Sequence, residues 1–274
     1  MQHLEFAPPE ALRDSIRCFW YNRRDFGARM SGFEVLPDGY AEIVFHFGGA
    51  CSMTRDGIRQ ELPSPFLMGL LNQPVTINAQ GVFEVIAIRC FPWTVFDLLD
   101  LPSAKGGPQR FEHPIAQLHP VLSKLIAAGR VDDAVAEVQR YFLDRQRVAD
   151  GMLARAGTAM RQAGGAIPVS EIATAAHATV RTLERKFKQS SGHTVKDVAG
   201  LMRFEQVRNH LWSHPDANIA DVAHQLGYTD QSHLSREFKR YSGATPAAFA
   251  RKARQGRAAL AGDFVAFVQS RPER

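Results

Sequence analysis

Ile219-Ala-Asp-Val-Ala-His-Gln-Leu-Gly-Tyr-Thr-Asp-Gln-Ser-His-Leu-Ser-Arg-Glu-Phe-Lys-Arg-Tyr-Ser-Gly-Ala-Thr-Pro246 decides the reading of this chain, because a looser version of it stands about fifty residues earlier. Val169-Ser-Glu-Ile-Ala173 matches Ile219-Ala-Asp-Val-Ala223 at a spacing of fifty. Leu183-Glu-Arg-Lys-Phe-Lys188 matches Leu234-Ser-Arg-Glu-Phe-Lys239 at fifty-one, and Ser191-Gly-His-Thr194 matches Ser242-Gly-Ala-Thr245 at fifty-one. Such self-similarity marks one supersecondary unit used twice. The extra residue falls in the turn around Gly227-Tyr228, where an insertion costs least.

Each copy has the pattern of a helix-turn-helix. A short first helix carries an Ile-Ala or Val-Ala pair, and the small Ala173 or Ala223 lets a second helix cross closely. Gly227 ends the first helix of copy two, since glycine adopts a positive φ cheaply. Thr179 and Thr229 are expected to cap the second helices. These bury Leu183 with Phe187 and Leu234 with Phe238, which are i, i+4 pairs on one face. The opposite face is free to enter a major groove. There copy one sets Arg181, Arg185 and Lys188, with Glu184 beside them. Copy two sets Gln231 and Ser235, with Ser232 and Arg236 one step round. Arginine offers paired donors to guanine and glutamine pairs with adenine. Lys239 and Arg240 suit phosphate, which adds affinity without sequence information. Val195 to Ser213 reads as one long helix whose Val198, Leu201, Met202, Val207, Leu211 and Trp212 pack against both units and hold them in phase.

Working outward, charge divides the chain. Residues 151–274 carry a formal +8 and residues 1–150 carry −3, out of a total of +5 over 274 residues. A basic half beside a slightly acidic one fits a nucleic-acid partner on one side only. The first hundred residues read as mainly strand, with Phe33–Leu36 closed by Pro37-Asp-Gly39, Ala41–Phe47 closed by Gly48-Gly49, and Val82–Phe91 closed by Pro92. Helices are expected over Trp93–Leu101, Ile115–Ala127 and Val131–Arg147. In the last of these Val131, Val135, Val138 and Phe142 form an apolar stripe that serves either its own core or a homodimer surface. Met152–Met160 has helical periodicity and is stopped by Gly164-Gly165.

The fold expected is therefore α+β. A β-rich sandwich or barrel with following helices fills residues 1–150. An all-α domain of two helix-turn-helix units follows at 151–256, with the units at about 168–190 and 218–241 and a linker helix at about 195–213. A tail covers 257–274. Arg251, Lys252, Arg254 and Arg257 either touch phosphate or are simply solvated.

Other chemistry finds little support. No run of eighteen apolar residues occurs and the N-terminus lacks a secretory pattern, so a cytoplasmic protein with no membrane partner is expected. Cys18, Cys51 and Cys90 form no CxxC pair, so neither a metal site nor a disulfide framework is indicated, and no cofactor is expected. No nucleophile elbow, P-loop or dinucleotide fingerprint appears, so no catalytic residues are assigned and no enzyme is expected. His46 has no second ligand at metal spacing and reads as a satisfied or exposed histidine. Asp38 reads as a turn former. Trp20, Tyr40, His46 and Trp93 are the candidates for a ligand pocket, although aromatics in a β-core usually belong to the core.

At the repeat the chain resembles the AraC/XylS family of bacterial transcription regulators. The Ile-Ala opening, Gly-aromatic turn, Arg-x-Phe-Lys and Gly-x-Thr-Pro are all present, with Tyr228 where phenylalanine is commoner and His177 at the copy-one turn. The resemblance implies base-facing roles for Arg181, Glu184 and Arg185, and for Gln231, Ser232, Ser235 and Arg236. Thr182, Lys188, Lys239 and Arg240 complete the expected DNA-facing set. Phe19-Trp20, Val35-Leu-Pro-Asp-Gly39 and Glu42-Ile-Val-Phe45 look similar to a β-rich domain of one regulator subgroup, where such domains sense a small molecule or dimerise. The resemblance implies double-stranded promoter DNA as partner, a small-molecule effector, and RNA polymerase if the protein is an activator. A ligand-independent regulator that only dimerises through its N-terminal domain is the alternative. A DNA-binding enzyme with a reactive cysteine, Cys90 beside Arg89, is the remote one.

Overall fold

Strand β9 (Val82–Cys90) shows why the N-terminal half folds as it does. A strand turns alternate side chains to opposite faces, yet six consecutive residues, Val85 to Cys90, are buried. Both faces of this strand are therefore covered. In the computed structural model, which describes residues 2–101, 108–109, 113–145 and 151–259, β9 lies near the middle of a six-stranded antiparallel sheet. Its order is β1 (Gln2–Phe6), β2 (Ile16–Asp25), β9, β4 (Ala41–Gly48), β7 (Phe66–Met68) and β10 (Pro108–Gln109). A second sheet, of order β3 (Ser31–Val35), β8 (Val75–Ala79), β5 (Cys51–Arg55) and β6 (Ile58–Glu61), packs on one face of the first. The architecture is thus a sandwich rather than a closed barrel. Cys18, Trp20, Val44, Val85 and Ala87 point between the sheets.

The other face carries Phe19, Tyr21, Ile43, Phe45, Ile86 and Ile88 and is covered by helices. These are α1 (Val95–Leu99), α2 (His119–Ala127) and α3 (Val131–Leu143). A 3-10 turn over Pro114–Leu118 begins the segment read from sequence as one helix from Ile115. The apolar stripe of α3 (Val131, Val135, Val138 and Phe142) is buried in this same core, so that face is not free to receive a second copy. Positions 146 and 147, assigned to that helix from sequence, lie outside the described residues.

The described part of the C-terminal half holds helices and, among the described residues, no strand. α4 (Gly151–Gln162) precedes the first unit, α5 (Val169–Ala175) and α6 (Val180–Ser191). α7 (Val195–Ser213) connects it to the second, α8 (Ile219–Gln225) and α9 (Gln231–Ser242), and α10 (Pro246–Ala259) follows. The tail assigned from residue 257 thus begins inside α10, and positions 260–274 lie outside the described residues. α7 starts with a capping box, in which Thr194 Oγ1 accepts from Asp197 N at 3.1 Å and Thr194 N donates to Asp197 Oδ2 at 3.3 Å. Such reciprocal caps satisfy donors that a helix start otherwise leaves bare.

One hydrophobic core runs through both halves. Leu36, Leu70, Phe91 and Trp93 pack with α4, α6 and α7 side chains. Trp93 stacks on Phe91, with ring centroids 5.2 Å apart, and lies 5.8 Å from Phe187 on α6. Gly157 makes room for it, since a Cβ there would fall 2.1 Å from the indole. Among the described residues, no helix is long and apolar enough to cross a membrane.

Candidate nucleic-acid interface

The two second helices, α6 and α9, are built alike. Leu183, Phe187, Leu234 and Phe238 are buried at their predicted positions. Each helix ends on a buried serine: Ser191 donates to Phe187 O at 2.8 Å, and Ser242 to Phe238 O at 2.8 Å. A left-handed glycine, Gly192 or Gly243, then closes each helix. Thr179 caps α6 as expected, accepting from Thr182 N at 3.2 Å. For α9 the expectation fails: the cap is Asp230, not Thr229, and its Oδ1 accepts from His233 N at 2.7 Å. The physical reason lies in the register. The repeat changes spacing from fifty to fifty-one in this turn, which puts Asp230 where Thr179 stands.

With one face buried, the other is set. Arg181, Arg185 and Lys188 on α6 are exposed, as are Gln231, Ser232, Arg236, Lys239 and Arg240 on α9; Ser235 is half-buried. Glu184, Thr182 and Arg240 have internal partners. Glu184 Oε2 accepts from Val195 N at 3.3 Å, so this carboxylate caps the start of α7. The Thr182 hydroxyl takes a hydrogen bond from Thr179 at 3.0 Å. Arg240 approaches Asp197 on α7 at 3.8 Å, through side chains exposed enough for solvent to weaken the pair.

A polar clamp that the sequence reading missed holds α9 on α7. Arg203 donates to both carboxylate oxygens of Glu237, at 3.3 and 2.8 Å, and to Gly165 O at 2.7 Å. Tyr228 donates to Glu237 Oε1 at 2.8 Å. Burial, then the adjacent Glu237 charge, pushes the Tyr228 hydroxyl pKa up and keeps it a donor. The available signal was a charged residue between Met202 and Phe204 on an otherwise apolar stretch of the linker helix.

The ligand candidates separate in space. Trp20 and Tyr40 line a cavity of about 50 Å³ between the two sheets of the sandwich. His46 does not line it. It borders a separate groove with His119, and its Nε2 lies 3.0 Å from Leu62 O, which satisfies it. Burial lowers its pKa. Trp93 is fully buried in the core shared by the two halves, which corrects its reading as a pocket residue. Asp38 is a turn former as read: its Oδ1 accepts from Tyr40 N at 3.0 Å. It also lines the cavity.

The thiols fit poorly with a reactive-cysteine chemistry. All three are free and buried. Burial pushes Cys18 and Cys51 up to about 12 and raises Cys90 well above its ordinary value. A nucleophilic cysteine needs the opposite shift. The neighbour Arg89 is engaged with Glu42 and Asp38.

With this geometry in view, the C-terminal domain is a helix-turn-helix domain of the AraC type: residues 172–252 match the family described as "Helix-turn-helix domain". Residues 4–111 match a family described only as a domain of unknown function. Among relatives, the "HTH-type transcriptional activator RhaS" of Escherichia coli O1:K1 / APEC is 35% identical over 79 residues, which is 29% of this chain and 27% of that protein. The chain therefore spans about a quarter of the length of the curated relatives it matches. Among solved structures, ToxT from Vibrio cholerae is 14% identical and aligns over 85% of this chain and 98% of its own, with a TM-score of 0.46. The DNA-binding domain of AdpA in complex with a target DNA is 24% identical over 40% of this chain and 98% of its own, with a TM-score of 0.37.

Proposed function

We propose that this protein is a sequence-specific DNA-binding transcription regulator, acting in the cytoplasm and controlled by a small molecule taken up by the N-terminal sandwich. One observation carries the reading. Two helices of the same construction, each with its Leu–Phe pair buried, turn Arg181, Arg185 and Lys188, and Gln231, Ser232 and Arg236, to solvent. These are the residue types that pair with base edges. Lys239 and Arg240 supply phosphate contacts. The connector α7 has 19 residues and so a length of about 28 Å at 1.5 Å per residue. That approaches the roughly 34 Å between successive major grooves on one face of DNA, so the two units read adjacent grooves as one rigid body. The 35% identity to RhaS over 79 residues supports the same reading.

The test starts from DNA selected from a random pool by the full chain, followed by anisotropy titrations on the selected sequence. Arg185→Ala and Arg236→Ala should each weaken binding to that sequence by about 1–3 kcal/mol and relax the preference at one position. Lys239→Ala should weaken binding to all sequences equally and reduce the salt slope by about 1. Wild-type affinity in Arg236→Ala would sink the assignment of α9 as a reading helix.

A further inference from the structure

The cavity between the sheets has an unbalanced charge. Its wall is apolar except at one end, where Asp38, Tyr40 and Glu42 enter, and among the described lining residues none is basic. Glu42 Oε1 accepts from Trp20 Nε1 at 3.2 Å and from Arg89 Nε at 2.8 Å. Arg89 also reaches Asp38 at 3.4 Å. One guanidinium, 4% exposed, thus serves two carboxylates whose side chains are 9% and 13% exposed. The third carboxylate nearby, Glu205 on α7, faces its own partner, Arg208, at 3.6 Å. Arg161, another cation near Tyr40, lies outside the lining with its guanidinium 4.3 Å over the Phe91 ring. Arg17 also acts on Tyr40 from outside the lining. The cavity end therefore holds two carboxylates against one cation, and an unmatched buried charge is costly. Burial accordingly pushes the Glu42 carboxyl pKa up, against the lowering pull of Arg89.

We propose that this cavity is a binding site for a small organic ammonium, with the nitrogen at Glu42 and Asp38 and a compact apolar body against Trp20, Phe33 and Phe66. The inference rests on the reading of the N-terminal domain as a sensor and names the chemistry of what it senses. A cation supplies the missing charge, and the apolar lining takes the body of the ligand. Size limits the body. A volume of about 50 Å³ corresponds to roughly four water-sized sites, hence to a ligand of roughly four to six non-hydrogen atoms.

The site is wired to the DNA-binding half. The turn that presents Asp38 and Tyr40 to the cavity is seated on α7: Pro37 O accepts from Arg208 Nη1 at 3.0 Å. A Cβ at Gly39 would lie 3.2 Å from Met202 Cγ. An ammonium that draws Asp38 inward moves the seat of the helix that sets the spacing of the two units. It shifts DNA affinity by its differential affinity for the two seatings.

Calorimetric titration of the full chain near neutral pH with isobutylamine, isobutanol and isobutyrate tests this. The amine should bind about tenfold or more tighter than the alcohol, and the carboxylate should not bind. Glu42→Gln should bring the amine down to the level of the alcohol. Where Glu42→Gln fails to give a cooperative melt, Asp38→Asn is read in the same way. Equal binding of alcohol and amine, tighter binding of the carboxylate, no binding of any of the three, or an undiminished amine preference in the variant overturns the proposal. Titration of the unliganded chain with its selected DNA separates the two failures. A chain that binds DNA and ignores the amine loses the ammonium site and keeps its reading as a regulator.

Discussion

The two helix-turn-helix units share their turns, caps and exposed faces, but they are finished by different parts of the chain. In the first, Phe187 of α6 packs on Trp93, which stacks on Phe91 and sits under Gly157, so side chains from the N-terminal half close the core. In the second, Phe238 of α9 packs on Phe204 at 5.0 Å and on Phe249 of α10 at 5.4 Å, and the Arg203–Glu237–Tyr228 clamp adds polar ties. These side chains all lie within the C-terminal domain. The first unit is thus mechanically part of both halves, whereas the second belongs to one. A change in the sandwich reaches α6 directly and α9 through its neighbours, α7 and α10, the latter with Lys252 3.7 Å from Glu34 on β3.

The largest expected effect breaks that difference at its centre. Trp93→Ala removes a fully buried indole and should cost about 3–5 kcal/mol in urea unfolding. Hydrogen exchange should show α6 amides losing protection while α9 amides keep more of theirs; equal loss in both helices would mean that the units are not closed separately. Next comes the clamp. Arg203→Met removes the guanidinium from Glu237, which keeps the Tyr228 hydroxyl as a donor, and from Gly165 O, and removing one partner of such a pair should cost about 3 kcal/mol. Here α8 and α9 should open first and α6 should hold. Gly157→Ala is smaller. The added methyl must displace the Trp93 ring, an overpacking penalty of about 1–3 kcal/mol, and the loss should again fall on α6 rather than α9.

How far these differences were legible in the sequence varies with their physical origin. The repeat, the buried Leu–Phe pairs and the exposed basic faces follow from local periodicity, and Leu183, Phe187, Leu234 and Phe238 stand where their spacing requires. The strands read as Ala41–Phe47 and Val82–Phe91 were visible because both faces of the central sheet are covered, which makes the apolar runs continuous. Strands β5 and β6 carry no such run. Their hairpin rests on Asp56-Gly57, both at positive φ (50° and 77°), a turn signal in plain view. The pairing of Trp93 with Phe187 and of Arg208 with the Pro37 carbonyl was not legible, because contacts between residues far apart in the chain leave no local pattern. Trp93 read as a pocket aromatic for that reason. The charged end of the cavity was hidden in the same way: Glu42 and Arg89 are paired across β4 and β9 by register, while Asp38 showed only its turn chemistry.

The smallest predicted effect sharpens the comparison within the turns themselves. Both first helices end with the same backbone hydrogen bond, from Ala178 N to Ala173 O and from Tyr228 N to Ala223 O, each 2.9 Å. That geometry needs a left-handed residue, and the units fill it differently: Gly227 at φ 75° and His177 at φ 53°. A residue with a Cβ is strained there by about 1–2 kcal/mol. The His177 side chain is exposed and has little packing to lose. Replacing it by glycine relieves that strain and adds unfolded-chain entropy worth about 0.5–1 kcal/mol in the other direction. His177→Gly should therefore stabilise the chain by about 0.5 kcal/mol net. Gly227→Ala should destabilise it by about 1–2 kcal/mol, because it meets the same strain and also places a Cβ 2.7 Å from Ala166. Opposite signs from the two substitutions, measured as denaturant midpoints at constant slope, would confirm that the turns share one backbone requirement met in one unit and tolerated in the other. Destabilisation by both would show that the His177 turn has a requirement of its own.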